Sequence, residues 1–145
     1  MAEGAEVLLD YDISQPTEHR DERGCLVELL KGDELSGEKK ILGQIYFVTF
    51  EKLRVIRGNH YHIKKEEWFI VAQGRLHVEL QDVDTREHVS LVLDSKRDGY
   101  VRLRIGKKIA HAFMNISPTA TMVNYASQSY HQTDPDTFPY VLIKR

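Results

Sequence analysis

Residues 57–68 read Arg-Gly-Asn-His-Tyr-His-Ile-Lys-Lys-Glu-Glu-Trp, which brings two histidines and a carboxylate close together in the chain. In an extended strand, residues i and i+2 project to the same face, so His60 and His62 point together. Two imidazoles on one face bind a metal, share a proton-transfer role, or pack as hydrogen-bonded structural histidines. Glu67 follows soon after, and a third histidine, His111, lies far along the chain in a second strand-like run. The stretch therefore predicts a strand whose one face carries imidazole chemistry.

The segments around this stretch predict an all-β domain. Residues 44–50 are rich in β-branched and aromatic residues, and residues 75–81 alternate apolar and polar side chains at period two. Turn-forming pairs such as Gln73-Gly74 and Ser117-Pro118 separate the runs. Residues 31–40 lack strand character and predict a loop or a helical turn. The remaining predicted strands are residues 25–30, 68–72, 88–93, 100–105, 110–116, 121–126 and 140–143, which together favour a sandwich or barrel.

Length and composition narrow the class of protein. A chain of 145 residues with 41% hydrophobic and 29% charged residues is typical of one soluble domain, here predicted to span residues 1–145. The net charge of -2 argues against nucleic acid as a partner, since phosphate binding needs a basic surface. A single cysteine, Cys25, excludes an internal disulfide and fits a reducing compartment. Without a signal-peptide pattern or a membrane-length apolar run, we expect a cytoplasmic protein with no membrane partner.

The spacing of the histidines resembles the cupin superfamily. His-x-His, four residues, Glu67, six residues and Gly74 match the first cupin motif, and His111 with Asn115 matches the end of the second. The second motif departs from the family at its start, because Gly106-Lys-Lys-Ile-Ala-His stands where cupins carry Pro-x-Gly-x-x-His. The resemblance implies an all-β cupin (jelly-roll, double-stranded β-helix) barrel.

Further motifs resemble a particular group of cupins. Residues 21–28, Asp-Glu-Arg-Gly-Cys-Leu-Val-Glu, look like the first motif of the dTDP-sugar epimerases and ketoisomerases, and residues 57–60 look like their Arg-Gly-x-His strand. Residues 126–134 and 44–48 are similar to segments of the sugar-nucleotide 3,4-ketoisomerases. Residues 57–62 and 134–138 also resemble the cupin domain of bifunctional capsular-polysaccharide sugar-nucleotide enzymes. The resemblance covers residues 8–143.

This resemblance implies roles for individual residues. His60 is the general base that removes a proton next to a ketone, for which an imidazole is suited, and His62 is its orienting partner. Tyr46 and Tyr130 lie beside the sugar, where a phenol protonates or hydrogen-bonds the enediol. Arg23 and Arg57 anchor the diphosphate of a nucleotide sugar. The predicted substrate-binding set is completed by Glu28, Asn59 and His111, while Arg102 and Arg104 are expected to be solvated and Trp68 and Phe113 to lie in the core.

A metal site is the alternative role for the same side chains. His60, His62, Glu67 and His111 form a complete ligand set for one divalent metal such as Zn, Mn, Fe or Ni. The epimerases and ketoisomerases that the chain resembles work without a metal, and the ketoisomerases commonly lack the glutamate that the capsular enzymes keep. The residues leave both options open, and the resemblance to the epimerases implies that no cofactor is required.

The resemblance implies an isomerase acting on a nucleoside-diphosphate 4-keto-6-deoxy sugar, with dTDP as the expected nucleotide. The keto group would move between C4 and C3 through an enediolate. A 3- or 3,5-epimerase on the same substrates, a sugar-binding cupin without turnover, and a metal-dependent cupin acting on a free small molecule are the alternatives. Relatives of this type form homodimers, often by exchanging an N-terminal strand, for which residues 7–10 are the candidate.

Overall fold

The computed structural model of the chain describes residues 9–35, 37, 42–96 and 99–145. These residues form twelve β-strands and a single-turn 3-10 helix at Gly32–Glu34, which lies in the segment predicted as a loop or helical turn. Among them there is no helix long and apolar enough to cross a membrane. The strands are β1 Tyr11–Ser14, β2 Glu18–Asp21, β3 Gly24–Val27, β4 Gln44–Phe50, β5 Ile56–Tyr61, β6 Glu67–Gln73, β7 Arg75–Asp82, β8 His88–Asp94, β9 Arg102–Ile105, β10 Ile109–Asn115, β11 Ala120–Ala126 and β12 Phe138–Pro139.

Two five-stranded antiparallel sheets make up the barrel. The first has the strand order β1-β9-β6-β11-β4 and the second the order β12-β5-β10-β7-β8, while β2 and β3 form a separate hairpin. From β4 onward the chain passes from one sheet to the other at every connection except the β7–β8 hairpin. This alternation is that of a jelly roll, so the predicted all-β cupin barrel is confirmed.

The core lies between the two sheets and follows the period-two pattern of the strands. In β7, Leu76, Val78 and Leu80 are fully buried, while the residues between them are more exposed. Phe113 belongs to this core, as predicted. Trp68 is also buried, but it projects from the outer side of its sheet and packs in a second cluster with Tyr125 and Leu35. The side chains within one strand therefore serve two separate apolar clusters.

The prediction that Arg102 and Arg104 are solvated was wrong. Both side chains are mostly buried, with 14% and 18% of their surface exposed. Their charges are balanced by carboxylates that the sequence pattern of β9 alone does not reveal. Arg102 pairs with Glu34 at 2.8 Å, and Arg104 pairs with Asp10, Asp12 and Glu66. These ion pairs tie β1 and the loop before β6 to β9.

The ends of the chain also differ from expectation. Residues 140–143 form no strand, since β12 covers only Phe138–Pro139. The segment after β12 is held by the side chain of Asn59 in β5 and not by a ladder of backbone hydrogen bonds. The candidate exchange strand, residues 7–10, lies partly outside the described residues. Its described part packs against the same chain, with Leu9 in the core and the carbonyl of Asp10 accepting the N–H of Gly106 at 2.7 Å.

Candidate active site

Four predicted side chains converge inside the barrel at one end of β5. His60 pairs directly with His111 on the neighbouring strand β10, and His62 and Glu67 flank the loop between β5 and β6. The ring centroids of His60 lie 4.9 Å from His62 and 4.8 Å from His111, and those of His62 and His111 are 5.4 Å apart. Antiparallel pairing of β5 with β10 therefore brings His111 next to histidines that are far from it in sequence.

A β-bulge sets the register of this strand pair. His111 pairs with His60 but Ala112 pairs with Gly58, so Asn59 is the extra residue. Gly58 and Asn59 both have positive φ angles, of 88° and 58°. A Cβ atom at Gly58 would lie only 2.7 Å from the carbonyl oxygen of His111, so glycine is needed there. The bulge thereby places His60 opposite His111.

Glu67 is the buried centre of the cluster. Its Oε1 atom lies 3.1 Å from Nε2 of His62 and 3.3 Å from Nε2 of His111, and its Oε2 atom accepts a hydrogen bond from Asn124 at 3.2 Å. Burial alone would raise the pKa of the Glu67 carboxyl, but the two histidines hold that pKa well below its usual range. Burial would lower the pKa of His62, yet the neighbouring carboxylate leaves that pKa raised.

The outer nitrogens of two histidines define their tautomers. Nδ1 of His62 lies 2.6 Å from the carbonyl oxygen of Asp136, and Nδ1 of His111 lies 3.0 Å from that of Ile109. A carbonyl oxygen only accepts hydrogen bonds, so both Nδ1 atoms carry hydrogen and both Nε2 atoms face Glu67. A lone pair on Nε2 would repel the carboxylate, so this arrangement requires a positive charge between the groups, either a proton or a metal ion.

The donor set fits a divalent metal. One ligand nitrogen from each of His60, His62 and His111 lies within 4.8 Å of the other two. Nε2 of His62 and Oε1 of Glu67 are buried without an aligned hydrogen bond, although they lie 3.1 Å apart. Three imidazoles with one carboxylate are ligands that suit Zn, Mn, Fe or Ni, and both Nδ1–H groups have the outer partners that ligating histidines need.

His60 lines a cavity and differs from His62 and His111 because its nitrogens are not held between a backbone carbonyl and Glu67. Burial, and then the neighbouring His111 and His62, lower the pKa of His60 to about 4. The imidazole is therefore uncharged at neutral pH, and within the described part of the chain no hydrogen bond occupies its nitrogens. A neutral, partly buried imidazole at a cavity wall is suited to accept a proton from a bound molecule.

The cavity lies between the sheets and has a volume of about 160 Å³. That volume is below the roughly 300–1,000 Å³ of pockets that enclose drug-sized ligands, so it suits a single small ring. Its lining combines groups that exchange or orient protons with an apolar floor. The polar lining residues are Tyr46, Arg57, His60, Glu67, His111 and Asn124, and the apolar ones are Val48, Phe69, Phe113 and Met122.

Tyr46 and Arg57 are the other predicted site residues that reach this cavity. Burial and the charge of Glu67 raise the pKa of Tyr46, so its phenol stays protonated and able to donate. Arg57 donates from Nε and Nη2 to the carbonyl oxygen of Thr49, at 3.2 and 3.0 Å, and its guanidinium lies over the ring of Phe50. Both side chains are thus held in the cavity wall.

Besides His62, which lies behind the cavity lining against Glu67, four predicted residues do not line the cavity. The side chain of Arg23 is 85% exposed at the turn of the β2–β3 hairpin, where it pairs with Asp21. Glu28 contacts His19 and Lys31 instead, and Tyr130 is 55% exposed. The amide of Asn59 is engaged by the backbone of residues 142 and 143. These positions do not support direct contact with a ring held in the cavity of this chain.

Sequence reasoning missed two residues that shape the site. Asn124 is fully buried and contacts Glu67, and its signal was a polar residue on the inward face of an apolar strand. Asp136 holds His62 and the turn after it, but no local pattern marks that contact, because the two segments are far apart in sequence.

The fold and this cluster of three histidines and a glutamate define an RmlC-like cupin. Within that class, residues 19–138 match the polysaccharide biosynthesis C-terminal domain family, and the chain belongs to this family.

Individual proteins to which the chain is similar act in sugar-nucleotide metabolism. It is 27% identical over 129 residues to the UDP-2-acetamido-2,6-beta-L-arabino-hexul-4-ose reductase of Pseudomonas aeruginosa, covering 88% of this chain but only 31% of that relative. The crystal structure of a 3,4-ketoisomerase from Helicobacter canadensis superposes with a TM-score of 0.70 at 27% identity, covering 90% of this chain and 91% of that one. The dTDP-4-dehydrorhamnose 3,5-epimerase of Bacillus anthracis, solved with TDP and PPi bound, shares the fold with a TM-score of 0.74 at 16% identity, covering 93% and 87%.

Proposed function

We propose that the protein is a sugar-nucleotide 3,4-ketoisomerase, acting on a nucleoside-diphosphate 4-keto-6-deoxy sugar. The observation that carries this proposal is the uncharged His60 imidazole in the wall of a ring-sized cavity, with the protonated phenol of Tyr46 in the same lining. The likeness to the Helicobacter canadensis ketoisomerase over nearly the whole chain supports it.

The reaction follows from these two groups. His60 accepts the C3 proton of the bound sugar, and the electrons of that bond form a C3–C4 double bond while negative charge develops on the C4 oxygen. Tyr46 donates a hydrogen bond to the developing enediolate. Reprotonation at C4 uses the electrons of the C3–C4 double bond, while the C3 hydroxyl gives its proton to the C4 oxygen and becomes the carbonyl of the 3-keto product. Atoms and electrons balance without an oxidant or reductant, so we propose that turnover requires no cofactor.

A divalent metal remains the alternative occupant of the cluster. His60, His62, Glu67 and His111 would hold it, and it would act there as a Lewis acid towards an oxygen of the ligand. In that case His60 is a ligand, its lone pair is committed, and it does not serve as the base. Metal analysis of the purified protein therefore tests the assignment of His60 directly: a stoichiometric bound metal would contradict it.

The nucleotide half of the substrate lies outside the cavity in this proposal, because the cavity suits a single ring. Arg57, fixed in the cavity wall, is the proposed anchor for the diphosphate. Arg23 and Glu28 reach the nucleotide only from outside the cavity that this chain encloses. We further propose that the protein is a cytoplasmic homodimer, the commonest symmetric assembly.

Proton NMR of the reaction in D2O tests the function. We expect dTDP-4-keto-6-deoxyglucose to give a 3-keto product carrying deuterium at C4. Deuterium at C3 with the 4-keto group retained would instead identify an epimerase, which shares the first proton transfer. Absence of exchange with both the dTDP- and UDP-linked sugars would contradict both activities.

A further inference from the structure

The segment formed by residues 134–143, here called the strap, runs along β5 and the turn that follows it. Only Phe138 and Pro139 pair with β5 as a strand, so most of the attachment is made by side chains. At its start, Asp134 forms an ion pair with Lys64 at 2.5 Å, and the carboxylate of Asp136 accepts the N–H groups of Ile63 and Lys64. In its middle, the ring of Phe138 stacks on that of Tyr61. At its end, the Tyr140 N–H donates to the Asn59 carbonyl, and the Leu142 and Ile143 N–H groups donate to Asn59 Oδ1.

Asp136 is the strap residue that contacts the site. Its carboxylate is buried and accepts the backbone N–H groups of Ile63 and Lys64 at 2.9 and 3.0 Å. β5 ends at Tyr61, so these two N–H groups lie beyond the sheet ladder and the carboxylate takes the place of ladder acceptors. The backbone carbonyl of the same residue accepts Nδ1–H of His62 at 2.6 Å. One residue therefore fixes both the turn and the ring that precedes it.

The bond to the Asp136 carbonyl decides which nitrogen of His62 points inward. With hydrogen on Nδ1, the Nε2 atom of His62 is the one that faces Glu67, 3.1 Å away. The other described contacts of His62 are the Lys108 N–H to its carbonyl at 2.7 Å, the approach of its Nε2 to Glu67, and ring contacts with His60 and His111, and none of these engages Nδ1. Asp136 also has a φ of +50°, a left-handed conformation that aspartate and asparagine adopt more readily than other side-chain-bearing residues.

We propose that Asp136 is a positioning residue that locks the tautomer and orientation of His62 by clamping the 62–64 turn. The structural part of this inference stands on contacts alone, and its kinetic consequence rests on the function proposed above. Because His62 lies against His60 and Glu67, loss of the clamp is expected to disturb the catalytic geometry while leaving Arg57 and the nucleotide side untouched.

The matched variants are Asp136→Ala, Asp136→Asn and Asp134→Asn. Alanine removes both carboxylate bonds, whereas asparagine keeps the left-handed conformation and one acceptor. Asp134 lies in the same strap but its side chain is 61% exposed and pairs only with the surface group of Lys64, so Asp134→Asn is the control. The first readout is long-range 1H–15N correlation NMR of the imidazole nitrogens, in which the His62 signals are assigned with a His62→Asn variant. The second readout is steady-state kinetics, and TDP affinity is measured separately.

We expect Asp136→Ala to lose the Nδ1–H signature of His62 and to lower kcat about 10- to 100-fold, the usual range for removing an outer partner of a site histidine. KM and TDP affinity should stay within about twofold, Asp136→Asn should be intermediate, and Asp134→Asn should match the parent protein. A His62 spectrum and kcat in both Asp136 variants equal to those of Asp134→Asn would overturn the proposal. If Asp136→Ala does not fold, Asp136→Asn decides by the same criteria, and if no keto sugar is turned over, the NMR readout still decides the positioning role.

Discussion

At the scale of single residues, the three histidines of the site are chemically different although they are neighbours. His62 and His111 each have one nitrogen bound to a backbone carbonyl and the other directed at Glu67. His60 has neither restraint and faces the cavity. The same residue type therefore supplies two fixed imidazoles and one unrestrained imidazole, the proposed base.

Replacing His60 by asparagine tests this division. We expect His60→Asn to lower the rate of C3 proton exchange by about 10²- to 10⁴-fold, the contribution typical of a general base. TDP affinity should be unchanged, because the proposed anchor of the diphosphate is Arg57. Exchange followed by NMR in D2O, with TDP binding by calorimetry, measures both. An exchange rate within twofold of the parent protein would refute the role of His60.

The pH dependence of kcat/KM provides a second test of His60. A base acts when it is unprotonated, so activity rises with pH through its pKa and is constant above it. Because burial and the neighbouring histidines lower the pKa of His60 to about 4, we expect the acid limb near pH 4 and a flat profile from pH 5.5 upward. A limb near the ordinary imidazole value of 6.5 would contradict a lowered pKa for His60.

Residue patterns predicted much of this site because strand geometry is regular. The i, i+2 rule brought His60 and His62 together, and antiparallel pairing of β5 with β10 added His111. Asp136 was not predictable in this way, since it reaches His62 through a long connection with no periodic pattern.

At the scale of elements, the bulge in β5 is the feature that aligns the site. It shifts the register so that His60 rather than Asn59 lies opposite His111, and it turns the Asn59 amide towards the strap. The strands around the bulge are predicted by their alternation of apolar and polar residues. The bulge itself depends on a single residue, Gly58, and has no periodic pattern. Residues 140–143 were wrongly predicted as a strand for a related reason: their apolar pattern is that of a strand, but Asn59 supplies the hydrogen bonds.

The Gly58→Ala variant tests the importance of the bulge. A Cβ atom there would lie 2.7 Å from the His111 carbonyl oxygen on a backbone with φ of +88°. We expect a loss of about 1–3 kcal/mol in the free energy of unfolding, the typical cost of such strain, together with reduced turnover. Gly32→Ala is the matched control, because a Cβ at Gly32 meets nothing within 4 Å and its φ is ordinary. Denaturant unfolding of the two variants gives the comparison, and equal stabilities would contradict the argument.

At the scale of the whole molecule, the cavity is formed by both sheets, so binding there is linked to folding. A ligand that binds only the folded protein stabilises it by about 2.7 kcal/mol at a concentration of 100 times its Kd. The fold class followed from the spacing of strands and turns, but the ion pairs of Arg102 and Arg104 did not, because their partners come from remote parts of the chain.

A thermal-shift comparison of TDP, UDP and GDP identifies the nucleotide. We expect TDP to raise the melting temperature most, and Arg57→Met to remove that shift while His60→Asn keeps it. The control pair separates loss of the diphosphate anchor from loss of the base. Equal shifts with all three nucleotides, or with none, would contradict the proposed specificity for dTDP sugars.

The strap has a consequence for how the protein is made. Ribosomal synthesis produces the histidines of β5 more than seventy positions before the Asp136 that orients one of them. All the strands of the two sheets except β12 precede the strap in the chain, so His62 stays unclamped until residues 134–143 have also emerged from the ribosome. With the positioning role proposed for Asp136, the site is completed only when the last segment of the barrel has been synthesised.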